Sequence, residues 1–475
     1  MKKIDFFILI FILIVACCFR LYKINTPLAD LHSWRQVDTA AVAKNFIKDG
    51  FDLLHPRYDD LSSIETGFEN PNGYRFVEFP IYNALFAFAF KILPLFSLEA
   101  YGRLTSIFFS LIIIAIIYYL ALKENSRVTA ISSSLIYAIM PFFVFFSRTI
   151  LPETTATAFA LLAIFFLYIY SKKIIWLIIS TICFSAAILI KPTTIFFGIP
   201  LLYLFFLKFN LNVFKKPHFY LYFILAIVPF LLWRYYISFF PEGVPANSWL
   251  ITSVNTFEGQ KNIFFKPAFF RWIFFERINN YIFGGYLVAF FVLGLLAKPK
   301  KLVLCSMLFS SLVYLFVFQG GNVQHEYYQV LILPSLAIFA GLGIDYIVKN
   351  KKNLIHPVIS YFIIIVIFCL SLFFSFYKVR DYYNYPADLV QIANIVNSLT
   401  KENDRIVTDR MGDTTLLYLM NRRGSPSPYK ILSDFKKDGY KYFVTLNRDV
   451  IEKVKIENNY SSIVFENDKF ALFGL

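Results

Sequence analysis

Long apolar runs are the dominant pattern of this chain. The segments 107–121 and 361–376, for example, contain no charged residue. A helix needs about 20 mainly apolar residues to cross the roughly 30 Å hydrocarbon layer of a bilayer. Eleven runs meet or approach this length, and they predict membrane-spanning helices near residues 4–20, 104–122, 128–146, 153–170, 174–190, 193–207, 219–237, 281–297, 302–318, 329–347 and 355–376.

The first of these runs follows Lys2 and Lys3, so it has the pattern of a signal peptide as well as that of a first helix. It continues past Cys17 through Phe19, which makes it long enough to span a bilayer. We therefore expect the first helix to be retained.

The positive charges between the runs predict the orientation of the chain. Alternate short connections contain the sets Lys2 and Lys3; Lys123 and Arg127; Lys172 and Lys173; Lys208, Lys215 and Lys216; Lys298, Lys300 and Lys301; Lys349, Lys351 and Lys352. The other short connections contain only Arg148 and Lys191. Because Lys and Arg are enriched in cytoplasmic loops, the first set is predicted to be inside. Residues 21–103, 238–280 and 378–475 would then lie outside the plasma (inner) membrane.

Composition supports a membrane protein and argues against a nucleic-acid partner. Only 16% of the 475 residues are charged, against about a quarter in soluble domains. The net charge of +15 could suggest nucleic-acid binding, but much of the lysine surplus lies in the short loops, where it is a topology signal. The five cysteines fall inside apolar runs, without the spacing of a metal site or a disulfide framework.

The last segment has a different pattern. An amphipathic helix is predicted at 387–399, and short strands are predicted at 405–408, 442–446 and 462–465. The expected fold is therefore an α-helical multi-pass membrane module, residues 1–377, followed by a small α/β extracytoplasmic domain, residues 378–475. The first external loop of the module is 21–103.

That first loop combines residue types that suit chemistry on a charged lipid. It contains Asp30, His32, Trp34, Arg35 and Asp38 within nine positions. Arginine binds phosphate, aromatic faces bind sugar rings, and a carboxylate can act as a base. The structural alternative is a solvated loop with surface ion pairs. Positions 40–46 have helical spacing, so Asp38 would serve as a helix N-cap in that alternative.

Several motifs, taken in order, resemble the GT-C class of membrane glycosyltransferases. Within that class they are most similar to the family-39 branch of protein O-mannosyltransferases and lipid A aminoarabinose transferases. The resemblance covers roughly residues 1–350, and the tail matches in position alone. The stretches that carry it are HSWRQVDTA (32–40) with AKNF (43–46), LHPR (54–57) leading to EFPIY (78–82), GRL (102–104), RTILPE (148–153), and HEYYQ (325–329) followed by LP (333–334) and GLG (341–343).

The resemblance implies transfer of a sugar from a polyprenyl-phosphate-linked donor to a lipid, glycan or protein acceptor. An acidic residue of the first loop would activate the acceptor, and a second acidic residue, here Glu153, would open the next external turn. Many members of the class carry an adjacent Asp-Glu pair near the start of the loop helix, where this chain has Arg35-Gln36. We therefore rank Asp38 first as the base, Asp30 second, and Glu78 third.

The leaving group of such a reaction is a phosphate ester, which departs as an anion and needs positive charge nearby. The predicted substrate-binding residues are His32, Trp34, Arg35, Arg57, Arg148, Lys191, His325 and Tyr327. Lys191 lies between two apolar runs, where snorkelling to the interface is the alternative explanation. A divalent cation bridging Asp38 or Glu153 to phosphate is compatible with this chemistry, but the spacing does not require one.

Two alternatives use the same type of lipid. A flippase or transporter of lipid-linked sugars would be expected to show internal repeats and ionisable residues at mid-membrane. This sequence has no obvious repeat, and Lys191, Arg234 and Asp345 fall near the ends of spans. A ligase would use an oligosaccharide diphosphate instead of a sugar monophosphate. The polar composition of the first loop favours a surface-facing enzyme. The resemblance implies transfer with inversion at the anomeric carbon.

Overall fold

The computed structural model describes residues 2–171, 173–245, 267–354, 356–457 and 460–475. Most of this part of the chain is helical. The α-helices are Lys3–Arg20, Ser33–Asp49, Ile81–Ile92, Leu98–Glu124, Arg127–Ile139, Pro141–Phe146, Pro152–Ile169, Ile174–Ile190, Gly198–Phe209, Pro217–Ile237, Pro267–Phe270, Val288–Leu295, Val303–Val317, Gln319–Gln324, Leu333–Leu354, Pro357–Val379, Ala387–Leu399, Thr415–Leu419, Leu432–Lys437 and Arg448–Glu457. The 3₁₀ segments are Pro192–Phe197, Asn210–Lys215, Pro241–Gly243, Glu326–Ile332 and Arg380–Tyr383, and Arg271–Ile282 is a π-helix.

Each predicted span coincides with one of these helices or with a broken helix. Among the described residues, six helical segments are long and apolar enough to cross a membrane, and several shorter apolar helices accompany them. One short apolar helix, Ile81–Ile92, lies inside the predicted external loop, where no helix was predicted. The multi-pass helical membrane fold is thus confirmed, while the number of eleven crossings stays a prediction.

Prolines explain several of the helix boundaries. Proline has no N–H to donate, and its fixed φ suits the first turn of a helix. Pro141, Pro152, Pro192 and Pro357 each occupy the start of a helical segment. Pro141 for this reason divides the span predicted over 128–146 into two helices.

The chain divides into two compact units. The first contains the described residues of 2–24, 103–233 and 267–382, which include most of the apolar helices. Two of its helices, Val288–Leu295 and Leu333–Leu354, approach each other closely through Gly294 and Gly343. A Cβ atom on Gly294 would lie 1.9 Å from a carbonyl oxygen of the opposite helix, and one on Gly343 would lie 1.8 Å from such an oxygen. Glycine is therefore required at this crossing.

The second unit contains residues 25–102, 234–245 and the described part of 383–475. We call its helix Ser33–Asp49 the loop helix. His32 precedes the loop helix with a left-handed backbone, φ 57°. The loop helix begins at Ser33, so Asp38 lies in its second turn. The prediction that Asp38 could be the N-cap was wrong, because five further residues upstream join the helix.

The tail of the second unit forms a five-stranded sheet with the strands β1 (Arg405–Thr408), β2 (Gly424–Ser425), β3 (Tyr440–Thr445), β4 (Ser462–Glu466) and β5 (Ala471–Gly474). The order is β2-β1-β3-β5-β4, with β1 parallel to β2 and β3, and β5 antiparallel to β3 and β4. The predicted α/β domain and its helix Ala387–Leu399 are confirmed.

Side chains of successive strand residues point to opposite faces of this sheet, and both faces are covered. Ile406 packs with the helices Ala387–Leu399 and Thr415–Leu419. Its neighbour Val407 packs with the helices Leu432–Lys437 and Arg448–Glu457. Because neighbouring residues of β1 face opposite sides of the sheet, each side packs against its own pair of helices.

A segment of the first loop joins the edge of this sheet at β2. The Leu61 N–H donates to the Gly424 carbonyl over 2.7 Å, and the Gly424 N–H donates to the Asp59 carbonyl over 2.9 Å. A Cβ atom on Gly424 would lie 1.8 Å from the Ile406 carbonyl oxygen, so only glycine fits here. The loop is thus hydrogen-bonded to the tail within one unit.

Candidate active site

Asp38 is buried on the loop helix and contacts groups from two distant parts of the chain. It is 2% exposed. The Arg75 guanidinium forms an ion pair with its Oδ2 at 2.7 Å, and the Thr414 hydroxyl donates to its Oδ1 at 2.5 Å. Thr414 belongs to the tail, so the tail contributes directly to the surroundings of the first-ranked base.

Arg75 is itself held from two other directions. Its second terminal nitrogen pairs with Glu65 at 2.7 Å, and its guanidinium lies 4.6 Å from the centre of the Tyr58 ring. A cation that is shared between two carboxylates and stacked on an aromatic ring has little freedom to move. Arg75 therefore fixes the orientation of the Asp38 carboxylate.

Burial raises the pKa of Asp38 to about 7, while Arg75 lowers it and Glu65 raises it. A second buried acid nearby, Asp60, behaves similarly, since burial and the Glu65 charge raise its pKa to about 8. The Ser62 N–H donates to Asp60 over 2.8 Å. Desolvation of this kind disfavours the charged carboxylate and moves its titration to the pH range where a general base is most effective.

A small cavity at Asp38 brings together three of the sequence-predicted residues. Its volume of about 10 Å³ is about enough for one water molecule. Arg35, Asp38 and Glu78 all line it, and Arg35 forms an ion pair with Glu78. The remaining lining residues are Thr39, Val42, Pro56, Arg75, Pro80 and Asn83.

The other candidates of the first loop lie outside this cavity lining. Asp30 is buried and accepts a hydrogen bond from the Gln36 side chain at 2.7 Å. Arg57 stacks over the Tyr74 ring, with its guanidinium carbon 5.7 Å from the ring centre. His32 and Trp34 are half-buried.

The candidates of the first unit include a buried ion pair. Glu153 lies in the first turn of Pro152–Ile169, as predicted, and its Oε1 is 2.6 Å from the Lys191 ammonium nitrogen. Both side chains are less than a tenth exposed. The ammonium also lies 5.0 Å from the centre of the Tyr328 ring. Two predicted residues, 38 positions apart in sequence, are thus brought into direct contact.

The remaining candidates of this unit make contacts of other kinds. The Arg148 guanidinium is buried and donates to the Lys23 carbonyl over 2.7 Å. The His325 ring stacks on the Tyr327 ring, with ring centres 5.3 Å apart. Glu326 between them forms an ion pair with Arg277.

Sequence reasoning missed Arg75, Glu65, Asp60, Thr414 and Arg277. The first three are charged residues of the same loop as the predicted ones, so their charge could have identified them as candidates. Thr414 offered none, because nothing in the order of residues indicates that the tail reaches Asp38.

No group of three or more metal-ligating side chains occurs in the described ranges. The Asp38 carboxylate lies between Arg75 and the Thr414 hydroxyl, in a cavity that Arg35 also lines. One oxygen of this carboxylate is thus paired with a guanidinium group and the other accepts a hydrogen bond from a hydroxyl.

Comparison with known proteins agrees with this picture. Residues 78–235 match the family model of dolichyl-phosphate-mannose-protein mannosyltransferases. No curated protein sequence matches the chain.

Three solved structures with similar folds are distant from this chain in sequence. ArnT from Cupriavidus metallidurans bound to undecaprenyl phosphate is 13% identical with a TM-score of 0.68, over 98% of this chain and 97% of ArnT. The oligosaccharyltransferase AglB from Archaeoglobus fulgidus is 11% identical with a TM-score of 0.59, over 94% of this chain and 70% of AglB. The arabinofuranosyltransferase AftD from Mycobacteria is 13% identical with a TM-score of 0.55, over 92% of this chain and 36% of AftD.

These matches confirm the resemblance found in the sequence motifs. The family model covers a third of the chain, and the structural likeness extends over nearly all of it. The chain has the fold of the GT-C membrane glycosyltransferases, and its residues 78–235 match the model of the dolichyl-phosphate-mannose-protein mannosyltransferase family.

Proposed function

We propose that this chain transfers a sugar from a polyprenyl-phosphate carrier to an oxygen of a lipid, glycan or protein acceptor. The class of the donor is supported by the similar folds, since the ArnT structure contains undecaprenyl phosphate and an AglB structure contains dolichol phosphate. The family model names a lipid-phosphate sugar as well.

The proposal depends on one observation, the environment of Asp38. This carboxylate is buried beside a small cavity, and its pKa is raised to about 7. In the proposed reaction, the acceptor hydroxyl gives its proton to Asp38 as its oxygen bonds to the anomeric carbon. The bond from that carbon to the phosphate oxygen breaks, and the electron pair leaves with the phosphate. A single displacement of this kind inverts the anomeric configuration. General-base help is worth about 10²–10⁴-fold in rate.

The other candidates take supporting roles in the proposal. Glu78 orients Arg35 at the cavity through their ion pair, and Asp30 fixes Gln36 on the loop helix. Lys191 and His325 remain the proposed contacts of the departing phosphate in the first unit, and Glu153 holds the Lys191 ammonium in place. We include no step through a divalent cation, although one structure of AglB was crystallised with Zn and sulfate.

We propose that the reaction takes place on the extracytoplasmic side of the plasma (inner) membrane. The alternation of Lys and Arg between the apolar runs supports this orientation. In the same scheme, residues 1–377 form the membrane module and residues 378–475 form the extracytoplasmic domain.

The decisive experiment replaces Asp38 by Asn. The amide keeps the size of the side chain but cannot accept a proton, so turnover should fall about 10²-fold or more. Binding of the polyprenyl-phosphate donor should survive, because cations hold the phosphate. Mass spectrometry of the lipid that copurifies with the variant would identify the headgroup and confirm donor binding.

Asp434→Asn is the matched control, since Asp434 is a tail residue that pairs with its neighbour Lys437 at the surface. Near-normal turnover in Asp38→Asn, combined with loss of turnover in Asp30→Asn or Glu78→Gln, would reassign the base to the carboxylate that proves indispensable.

A further inference from the structure

A second cavity of the second unit lies at the far end of the loop helix from Asp38. Its volume is about 240 Å³. One wall is the last part of the loop helix with the adjacent first-loop segment, and the other wall comes from two turns of the tail. Its lining includes Lys44, Asn45 and Asp59 of the first loop and Glu402, Arg422 and Arg423 of the tail. We call it the tail cavity.

The lining of the tail cavity suits a hydroxyl-rich ligand. Of the lining residues, Leu61 and Pro71 are apolar, and the others carry amide, carboxylate, ammonium or guanidinium groups. Such a surface offers hydrogen-bond donors and acceptors in every direction but little apolar area for a hydrophobic ligand. Vicinal hydroxyls of a sugar can donate to carboxylates and accept from amides and guanidinium groups at once.

Three of the five cations that line the tail cavity are paired with carboxylates, which weakens their attraction for an anionic ligand. Lys44 pairs with Asp59 at 2.7 Å, Lys48 pairs with Glu402 at 2.7 Å, and Arg423 pairs with Asp49 at 2.6 Å. The Arg422 guanidinium donates to backbone carbonyls, including that of Thr400 at 2.7 Å. A phosphate entering this cavity would have to compete with carboxylates that already hold these cations.

One buried carboxylate oxygen of the tail cavity could accept a hydrogen bond from a ligand. Asp59 is 1% exposed, and its Oδ2 is the atom that pairs with Lys44. Its Oδ1 has no hydrogen-bond partner within the part of the chain that the structure describes. A buried carboxylate oxygen without a hydrogen-bond donor destabilises the folded protein, because it has lost its contacts with water. A ligand hydroxyl could donate to it, whereas a phosphate dianion has no hydrogen to give.

The loop helix connects the tail cavity to the candidate base. Asp38 and Val42 line the small cavity, and Asn45 lines the tail cavity. These residues are four and three positions apart, so they lie along one face of the helix. Seven residues of α-helix rise about 10 Å, which is about the length of two linked sugar rings.

We propose that the tail cavity is an acceptor subsite that binds a neutral saccharide unit next to the one that receives the transferred sugar. The inference rests on the proposed function, and it makes the acceptor a glycan of at least two rings. Asp59 and Arg423 are the residues expected to contact its hydroxyls.

The test measures saccharide binding directly, by ligand-observed NMR on the full-length protein in nanodiscs. The probes are two neutral disaccharides, maltose and N,N′-diacetylchitobiose, with glucose 1-phosphate as the anionic comparison. At least one disaccharide should bind more tightly than glucose 1-phosphate. Asp59→Asn and Arg423→Gln should each weaken it about tenfold, as expected for loss of a hydrogen bond to a charged group.

Asp434→Asn is the control with the same chemical change outside the tail cavity, and thermal unfolding of each variant would show whether it is folded. The proposal would be overturned if neither disaccharide binds, or if glucose 1-phosphate binds more tightly than both. It would also be overturned if Asp59→Asn and Arg423→Gln bind the disaccharide as tightly as the native protein does. The subsite is tested by disaccharide binding to Asp59→Asn and Arg423→Gln, whereas the catalytic proposal is tested by the turnover of Asp38→Asn. Failure of the subsite is therefore distinguishable from failure of the catalytic proposal, which is measured by turnover.

Discussion

At the scale of single residues, burial raises the pKa of the Asp38 carboxylate, and the fixed Arg75 guanidinium limits how far the pKa rises. Burial alone would push the pKa of Asp38 upward, and the contact with Arg75 opposes this. A carboxylate with a pKa of about 7 is a better proton acceptor than an exposed one and is still ionised in a useful fraction of molecules. The balance depends on a residue that does not touch the reacting atoms.

The pH dependence of transfer should show this balance. Because the base must be ionised, kcat/KM should rise with pH through about 7. In Arg75→Gln the compensating charge is lost, so the pKa of Asp38 should rise by about one unit or more. The acid limb of the profile should shift to higher pH by the same amount. Arg448→Gln, at an exposed surface position, is the control.

A purely structural role for Arg75 predicts a different result. The variant would then lose stability and turnover together, and the remaining activity would keep the profile of the native protein. An unshifted acid limb in a folded Arg75→Gln protein would contradict the assignment of Asp38 as the group that titrates.

The buried pair of Glu153 and Lys191 can be separated into charge and structure. Glu153→Gln keeps the shape and an oxygen that Lys191 can donate to, but it removes the negative charge. We expect transfer to be abolished while expression and detergent stability remain near normal. Transfer by the purified variant and its unfolding temperature are the measurements. Equal loss of stability and transfer in Glu153→Gln, with recovery of both when Lys191→Gln is added, would instead show that the pair is structural.

The residues of the site were predictable to the extent that their chemistry was concentrated in one stretch of sequence. Asp38, Arg35 and Glu78 were found because the first loop mixes acids, bases and aromatic residues beside a membrane. Thr414 reaches Asp38 across 376 positions. Contacts of that separation depend on the tertiary fold, and no local pattern reports them.

At the scale of elements, apolar periodicity located the helices well, and steric detail set their boundaries. The runs near 104–122 and 153–170 correspond to Leu98–Glu124 and Pro152–Ile169. The strands β2 and β5 were missed, because β2 has only two residues and β5 is apolar and buried at all four positions, so neither shows an alternation of polar and apolar residues. The loop helix was predicted too short, since its first turn contains polar residues that pack inside the second unit.

Close helix packing in the first unit gives a prediction at this scale. In Gly343→Ala the new methyl group would meet a backbone carbonyl of the facing helix at 1.8 Å, and backbone cannot move aside easily. The helices must separate, so the free energy of unfolding should fall by about 1–3 kcal/mol. Unfolding in detergent, monitored by circular dichroism, measures this.

Gly198→Ala is the matched control for that substitution. Its methyl group would meet a Phe184 ring carbon at 3.6 Å, which is an ordinary contact. Equal stability of the Gly343 and Gly198 variants would show that the two helices can separate without cost.

At the scale of the whole molecule, the alternation of loop charges predicts which segments cross to the outside. A reporter fused after Lys352 should be active in the cytoplasm, and one fused after Tyr377 should be active outside it. All but the last two residues of the helix Pro357–Val379 lie between these two positions, and this segment is long enough to separate them. Activity of both fusions on the same side of the membrane would disprove the eleven-span topology.

The hydrogen bonds between the first loop and β2 also determine how late in protein synthesis the second unit can be completed. The bridge between Asp60 and Gly424 joins positions roughly 360 residues apart. At about 5–20 residues per second, a ribosome needs roughly 20–70 s to make the chain between them. During that interval the polar first loop has been synthesised without the sheet edge it will bind, while the membrane helices between them are still being inserted. The surroundings of Asp38, which include Thr414, can therefore be completed only after almost the entire protein has been made.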